Sequence, residues 1–110
     1  MKTFRTLELA VEFFEAVEKA PFQGHLRDQI YRASSSISLN LSEGNAKRSV
    51  REKKRFYQMS YSSLKECQTL LRLLKKKDSD LDAKANHLGA CLYKLMNSKI
   101  ESLGDSEFRP

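Results

Sequence analysis

The sequence predicts an all-α protein made of four amphipathic helices. Two observations support this class: the 110 residues include only two prolines and four glycines, and apolar residues recur at helical spacing in four separate stretches. Turn residues or helix-capping residues separate those stretches. A chain of this length supports one domain, residues 1–110, with a single core.

The first predicted helix covers residues 3–19. Its expected core face is formed by apolar residues three or four positions apart: Leu7, Ala10, Val11, Phe14 and Val17. Glutamates occupy another face, so the outer side is acidic. Phe4 and Phe13 fall toward the edge of the apolar face, which places one of them within reach of a neighbouring subunit.

The second predicted helix covers residues 25–42. One apolar stripe is expected to face the core: Leu26, Ile30, Ala33, Ile37 and Leu41. Serine is a mediocre helix former, yet this helix carries a serine cluster: Ser34, Ser35, Ser36 and Ser38. Small side chains favour a tight helix crossing. A catalytic serine is disfavoured because no histidine or lysine lies at a spacing that would supply its base.

A hairpin between the second and third helices organises the chain. The segment from Asn40 to Gly44 is predicted to end the second helix, and Ser49 with Glu52 forms a capping box that starts the third. The short connection between them predicts an antiparallel hairpin. Glu43 opposes the dipole at the end of its helix. We expect it either to pair with Arg48 or Arg32 in the same chain or to contact another subunit.

The third predicted helix, residues 50–76, carries two apolar rows. The first row is Phe56, Ser60, Ser63, Cys67, Leu70 and Leu74, and the second is Tyr57, Leu64 and Leu71. The fourth predicted helix, residues 80–103, begins at Asp78, Ser79 and Asp80, which favour an N-cap, and Gly104 is expected to end it. Its stripe is Leu81, Ala85, Leu88, Leu92, Leu95 and Ile100, with Cys91 and Met96 alongside.

The net charge of +6 is concentrated in one part of the chain. Residues 47–77 contain eleven cations and two acids, a balance of +9, whereas residues 1–46 have a balance of −1 and residues 78–110 a balance of −2. Cations at a helix N-terminus oppose the dipole, so phosphate contact is the expected reason for the cluster there. The predicted phosphate contacts are Lys47, Arg48, Arg51, Lys53, Lys54 and Arg55. Tyr57 and Tyr61 could add stacking, although helical spacing favours the core for both.

The sequence offers no motif for catalysis or for a cofactor. His25 and His87 are isolated, and the glycines form no phosphate-binding loop. Cys67 and Cys91 fall on apolar faces and are expected to be reduced, buried thiols. No stretch is long and apolar enough to span a membrane, so we expect a cytoplasmic protein. These observations favour a non-enzyme; a site shared between subunits around Glu43 and Arg48 is the remaining catalytic alternative.

The stretch from Leu26 to Leu74 resembles the small four-helix proteins encoded within intervening sequences of bacterial 23S ribosomal RNA genes. The matching residues are Leu26, Arg27, Gln29, Arg32, Ala33, Ser36, Ile37, Asn40, Leu41, Glu43, Gly44, Arg48, Ser49, Glu52, Arg55, Phe56, Ser63, Leu64 and Glu66. The order and spacing of Ser-Ile, Asn-Leu-x-Glu-Gly and Arg-Ser-x-x-Glu carry the resemblance. Two residues depart from the pattern: Lys53 replaces a usual aromatic, and Ser62 a common glycine.

The resemblance implies an antiparallel up-down-up-down bundle whose protomers form a ring, usually a pentamer. A related protein, the accessory variability determinant of diversity-generating retroelements, binds nucleic acid and a reverse transcriptase. We therefore expect a non-enzymatic scaffold, without cofactors, that binds RNA or DNA through its basic surface with little sequence preference. The alternative is a scaffold for an acidic protein or a reverse-transcriptase-like partner.

Overall fold

A computed structural model describes residues 2–75 and 77–97 of the chain, and within them it contains four helices and no strand. The helices are α1 (Lys2–Lys19), α2 (His25–Ala46), α3 (Val50–Leu73) and α4 (Ser79–Asn97). The predicted all-α class is confirmed. The predicted end of the fourth helix at residue 103, with Ile100 and Gly104, lies outside the described residues.

Helix α2 packs against α1 and α3, and α4 packs against α3 and α1. Between α2 and α3, Ser36 contacts Ser63, whereas Asn45, nearer the end of α2, contacts Tyr57, nearer the start of α3. The two helices are therefore antiparallel, as the predicted hairpin requires. Helix α4 is likewise antiparallel to α3, because Gln68 contacts Asn86 and Tyr61 contacts Tyr93.

Small polar side chains line the crossing between α2 and α3. The Ser60 hydroxyl donates to the carbonyl of Ile37 over 2.8 Å, and the hydroxyls of Ser36 and Ser63 lie 2.9 Å apart. Asn40 adds a hydrogen bond from Nδ2 to the Ser36 carbonyl at 2.9 Å. Of the predicted serine cluster, Ser36 thus lies at the close crossing, whereas Ser34 and Ser35 donate to the carbonyls of Tyr31 and Arg32 within α2 itself.

Helix α2 continues to Ala46, four residues beyond the predicted end, so the prediction that Asn40 to Gly44 closes it is wrong. Gly44 is buried inside the helix, where a Cβ would lie 2.9 Å from Cε1 of Tyr57 and 3.0 Å from Cβ of Phe56. The glycine is needed because α3 approaches closely at this point. Its role is packing, not helix termination.

The core face of α1 is rotated relative to the prediction. Phe13 is fully buried, together with Thr6, Ala10 and Val17, whereas Val11 is 42% exposed. Phe4 stays exposed. Leu7 and Phe14 of the predicted face are half-buried.

The cores of α2, α3 and α4 follow the predicted rows with adjustments. On α3 the buried row runs through Tyr57, Ser60, Leu64, Cys67 and Leu71, while Phe56, Ser63 and Leu74 of the predicted first row are half-buried. Leu26 on α2 is also half-buried. The predicted α4 residues within the described part are confirmed as buried: Leu81, Ala85, Leu88, Leu92 and Leu95.

Helix α3 ends at Leu73, three residues before the predicted end, and Lys75 then adopts a left-handed conformation with φ 56°. Asp78 caps α4, because its Oδ1 accepts hydrogen bonds from the backbone N–H groups of Asp80 and Leu81, both at 3.1 Å. Among the described helices, none is long and apolar enough to cross a membrane.

Both cysteines are free thiols. Cys67 is buried in the core, as predicted, and Cys91 is half-buried. Burial raises the pKa of the Cys67 thiol to about 12, and the neighbouring Glu66 carboxylate adds to the rise. The thiol is therefore protonated at neutral pH and unreactive.

Candidate nucleic-acid interface

The connection between α2 and α3 is built by local backbone chemistry. Lys47 follows α2 with extended backbone angles, φ −77° and ψ 150°, and its N–H donates to the Gly44 carbonyl. Ser49 then caps α3, because its Oγ accepts a hydrogen bond from the backbone N–H of Glu52 at 3.1 Å. The predicted N-cap at Ser49 is confirmed. The chain turns sharply here, so cations from the connection and from the start of α3 converge.

We call this cluster the basic corner, defined by five cations: Lys47, Arg48, Arg51, Lys54 and Arg55. The three arginines are exposed and the two lysines are half-buried. Within the described residues, four of the five form no ion pair with a carboxylate: Arg48, Arg51, Lys54 and Arg55. Their positive charges therefore face solvent next to a helix N-terminus, where the dipole disfavours them.

An aromatic ring lies between two cations of the basic corner. Lys47 Nζ is 5.2 Å from the centroid of the Phe56 ring, and the Arg55 guanidinium carbon is 5.3 Å from it. Cations over an aromatic face are stabilised by roughly 0.5–1 kcal/mol at exposed sites. Phe56, which is half-buried, thus supports the orientation of both side chains.

Glu43 pairs with a cation that the sequence did not predict as its partner. Its Oε2 lies 3.8 Å from Lys47 Nζ, one helical turn further along the chain. Arg32 instead lies 4.0 Å from Glu66 on α3. The prediction of Arg48 or Arg32 as the intramolecular partner of Glu43 is therefore wrong. Both pairs are exposed, and each stabilises the protein by at most about 1 kcal/mol.

Lys53 differs from the other predicted phosphate contacts because it is buried, with 7% of its surface exposed. Its Nζ donates to the backbone carbonyl of Asn45 at 3.3 Å. The side-chain oxygen of the same Asn45 accepts a hydrogen bond of 2.7 Å from the Tyr57 hydroxyl. Lys53 thus ties the end of α2 to α3, and we exclude it from the basic corner.

The two tyrosines considered for stacking have different surroundings. Tyr57 is fully buried, which confirms the core interpretation, and burial raises the pKa of its hydroxyl far above the usual range. Tyr61 is half-buried, and its ring centroid lies 6.4 Å from that of Tyr93 on α4. Tyr93 is an exposed aromatic residue that sequence reasoning did not single out. Its position beside Tyr61 becomes visible only once α3 and α4 are paired.

The chemistry available at the basic corner is the binding of anions. The arginines present planar donors suited to phosphate oxygens, and the lysines add point charges. In the part of the chain that the structure describes, no group of three histidine, cysteine, aspartate or glutamate residues could hold a metal ion.

Comparison with known proteins gives one family. The family model described as 23S rRNA-intervening sequence protein matches residues 4–98. This range includes all four helices except the first two residues of α1. No curated protein and no solved structure matches the chain.

Proposed function

Because the chain belongs to the 23S rRNA-intervening sequence protein family, we propose that it is a non-enzymatic oligomeric scaffold that binds RNA or DNA. The basic corner supplies the contacts, which are made to phosphates and therefore carry little sequence preference. Lys47, Arg48, Arg51, Lys54 and Arg55 bind the nucleic acid in this proposal.

One observation carries the proposal: four cations of the basic corner lack an ion pair within the described residues, at a place where the helix dipole disfavours them. Arg48, Arg51 and Arg55 are exposed and Lys54 is half-buried. An external anion would compensate their charges. A polyanion gains from several such contacts at once, since each neutralised phosphate releases condensed counterions.

The scaffold part of the proposal is an up-down-up-down bundle that assembles into a ring, with five protomers as the expected number. The antiparallel packing of α2 with α3 and of α3 with α4 supports this topology. Five copies of a chain with net charge +6 would give a ring of formal charge +30. Such a ring would attract nucleic acid strongly at low salt and weakly at high salt.

The test compares two triple variants with the same net charge. Arg51→Glu, Lys54→Glu and Arg55→Glu reverse the basic corner, and the control reverses three cations elsewhere: Arg5, Lys19 and Lys94. We expect only the first variant to lose RNA and DNA binding. The slope of log affinity against log salt should fall in magnitude by about two to three, since each of the three lost phosphate contacts contributes about 0.7–0.9. Equal binding by both variants at low salt would refute the proposal.

A second candidate function is a protein-interaction scaffold for an acidic or reverse-transcriptase-like partner. The observation that favours it is the exposure of a large apolar side chain on each of α2 and α3: Leu39 is 65% exposed and Met59 is 41% exposed. A partner that stays bound after nuclease treatment, and that Leu39→Ser with Met59→Ser releases, would support this function over nucleic-acid binding.

A further inference from the structure

A second polar surface runs along α3, on the side that faces α4. Lys54, Tyr61, Lys65, Gln68 and Arg72 follow one another at intervals of seven, four, three and four residues. This spacing keeps them on one face of the helix. With a rise of about 1.5 Å per residue, the stripe extends about 27 Å from Lys54 to Arg72.

Side chains of α4 complete this surface as a groove. The Tyr61 and Tyr93 rings are tilted by 55° at a centroid distance of 6.4 Å, and Lys65 Nζ lies 5.1 Å from the Tyr61 centroid. Further along, Gln68 Nε2 donates to Asn86 Oδ1 at 3.4 Å. We call this surface the α3–α4 groove, defined by Tyr61, Lys65, Gln68, Asn86, Gly89 and Tyr93.

Gly89 lies on α4 between the tyrosine pair and the amide pair. A Cβ at this position would lie 3.3 Å from Cδ2 of Leu64 on α3. The glycine therefore allows α4 to approach α3 closely along the groove.

The end of the groove near the α3–α4 connection opens into a cavity of about 680 Å³. Its lining is Gln68, Leu71, Arg72, Lys75, Lys77, Asp82 and Asn86. Three of these residues are cations and one is a carboxylate. None of the three cations forms an ion pair within the described residues, so this end of the groove also carries uncompensated positive charge.

Tyr93 gives the groove an exposed aromatic ring, whereas Phe56 at the basic corner is half-buried. The Tyr93 side chain is 57% exposed, and it is one of two aromatic residues beside a row of cations. Exposed aromatic rings next to cations are the means by which proteins bind unpaired bases, since every base has a face that can stack. The bases of a duplex are already stacked on one another and cannot use such a ring.

We propose that the α3–α4 groove binds single-stranded RNA or DNA, with one base stacked on Tyr93 and with Lys65, Arg72 and Lys75 on phosphates. The proposal rests on the proposed function, nucleic-acid binding, and adds a preference for single strands over duplex. An acidic peptide would use the cations of the groove but would gain little from the aromatic ring. The effect of replacing Tyr93 therefore distinguishes a single-stranded nucleic acid from an acidic peptide as the ligand.

The experiment measures fluorescence anisotropy of the full chain with a labelled uridine oligonucleotide, a labelled thymidine oligonucleotide and a labelled duplex of the same length. Tyr93→Ala is compared with Tyr93→Phe, which keeps the ring, and with Val11→Ala, which truncates an exposed apolar side chain on α1, outside the groove. Circular dichroism establishes that each variant is folded. We expect Tyr93→Ala to weaken single-strand binding about fivefold or more, with duplex binding unchanged and both controls like the wild type.

The outcomes separate the two proposals. Wild-type protein that binds neither the single strands nor the duplex would overturn the proposed function. Wild-type protein that binds both equally well, with Tyr93→Ala unchanged, would overturn the groove and leave the proposed function standing. Polyglutamate that displaces the oligonucleotide equally well from the wild type and from Tyr93→Ala would also overturn it, because the groove would then recognise charge alone.

Discussion

A single methyl group at Gly44 should destabilise the protein, although the same change normally favours a helix. Alanine is about 1 kcal/mol better than glycine inside a helix. At Gly44, however, the new Cβ would lie 2.9 Å from Cε1 and 3.1 Å from Cδ1 of Tyr57, and 3.0 Å from Cβ of Phe56. This steric overlap could be removed only by moving α2 and α3 apart, since Tyr57 is buried and the Phe56 Cβ is fixed to the backbone.

Overpacking of this kind costs about 1–3 kcal/mol. Because the contacts at Gly44 involve atoms that cannot rotate away, we expect the upper part of this range to apply. After the gain in helix propensity is subtracted, Gly44→Ala should lower the free energy of unfolding by about 1–2 kcal/mol. Separation of the two helices would also move the end of α2, which leads directly into the basic corner.

Gly89→Ala is the matched control. Its Cβ would lie 3.3 Å from one side-chain atom, Cδ2 of Leu64, which would have to shift by only a few tenths of an ångström. Helix propensity should then dominate, so that this variant is as stable as the wild type or more stable by up to about 1 kcal/mol.

The assay is urea unfolding followed by circular dichroism, at one protein concentration because subunit assembly would change the apparent stability. Gly44→Ala should lower the unfolding midpoint, whereas Gly89→Ala should leave it unchanged or raise it. A Gly44→Ala protein at least as stable as the wild type would refute the claim that close approach of α3 requires glycine there.

Three further predictions concern the core and the helix ends. Burial raises the pKa of the Cys67 thiol from 9.0 to about 12. The stability that the protonated thiol contributes is therefore complete below pH 9 and is lost as the pH rises from 9 toward 12. Between pH 9 and 10 the urea midpoint should fall in the wild type and should fall less in Cys67→Ala. Lys75→Gly should raise the free energy of unfolding by about 1 kcal/mol by relieving the left-handed backbone, and unchanged thermal stability would contradict this. Asp78→Ala should lower it by about 1 kcal/mol through loss of the α4 cap, with Asp78→Asn close to the wild type in the same thermal scan.

The helices whose cores were predicted correctly have one unambiguous apolar stripe. On α2, four residues of the predicted stripe are buried and Leu26, in the first turn, is half-buried; the buried four are Ile30, Ala33, Ile37 and Leu41. Helix α1 has apolar residues on both sides of the stripe, so its sequence fits two rotations. Phe13 in the core and Val11 at the surface reflect a choice made by the neighbouring helices, which the α1 sequence does not contain.

Gly44 illustrates why helix ends are harder to predict than helix faces. A glycine after polar residues is typical of a helix end, and it is also the residue that permits two helices to touch. Tyr57, thirteen residues further along the chain, decides between the two roles because its ring occupies the space of a Cβ. The sequence contains both residues but does not show that they meet.

The basic corner was predictable as a concentration of charge, whereas the direction of each side chain was not. Lys53 lies four residues before Tyr57, seven before Ser60 and eleven before Leu64, and all three of these residues are buried. This spacing places it on the core face of α3. The sequence contains this periodicity, but a lysine is rarely buried, so the charge of Lys53 led to its prediction as a surface residue. Lys53 is also the position where the resemblance expects an aromatic residue, which suits a buried site.

The packing order of the helices explains why the charges do not neutralise one another within a protomer. Helices α1 and α3 each pack against α2 and α4, so they lie across from each other. The glutamates of α1, Glu8, Glu12, Glu15 and Glu18, are all exposed. They therefore face away from the cations of α3 and, at physiological salt, are screened from them beyond about 8 Å. A nucleic acid would be attracted to the α3 side and repelled from the α1 side, so each protomer would bind it in one orientation.

Arg51 and Lys54 lie at the start of α3, where the basic corner meets the stripe that leads into the α3–α4 groove. A strand held at the corner would thus be directed along α3 toward Tyr93.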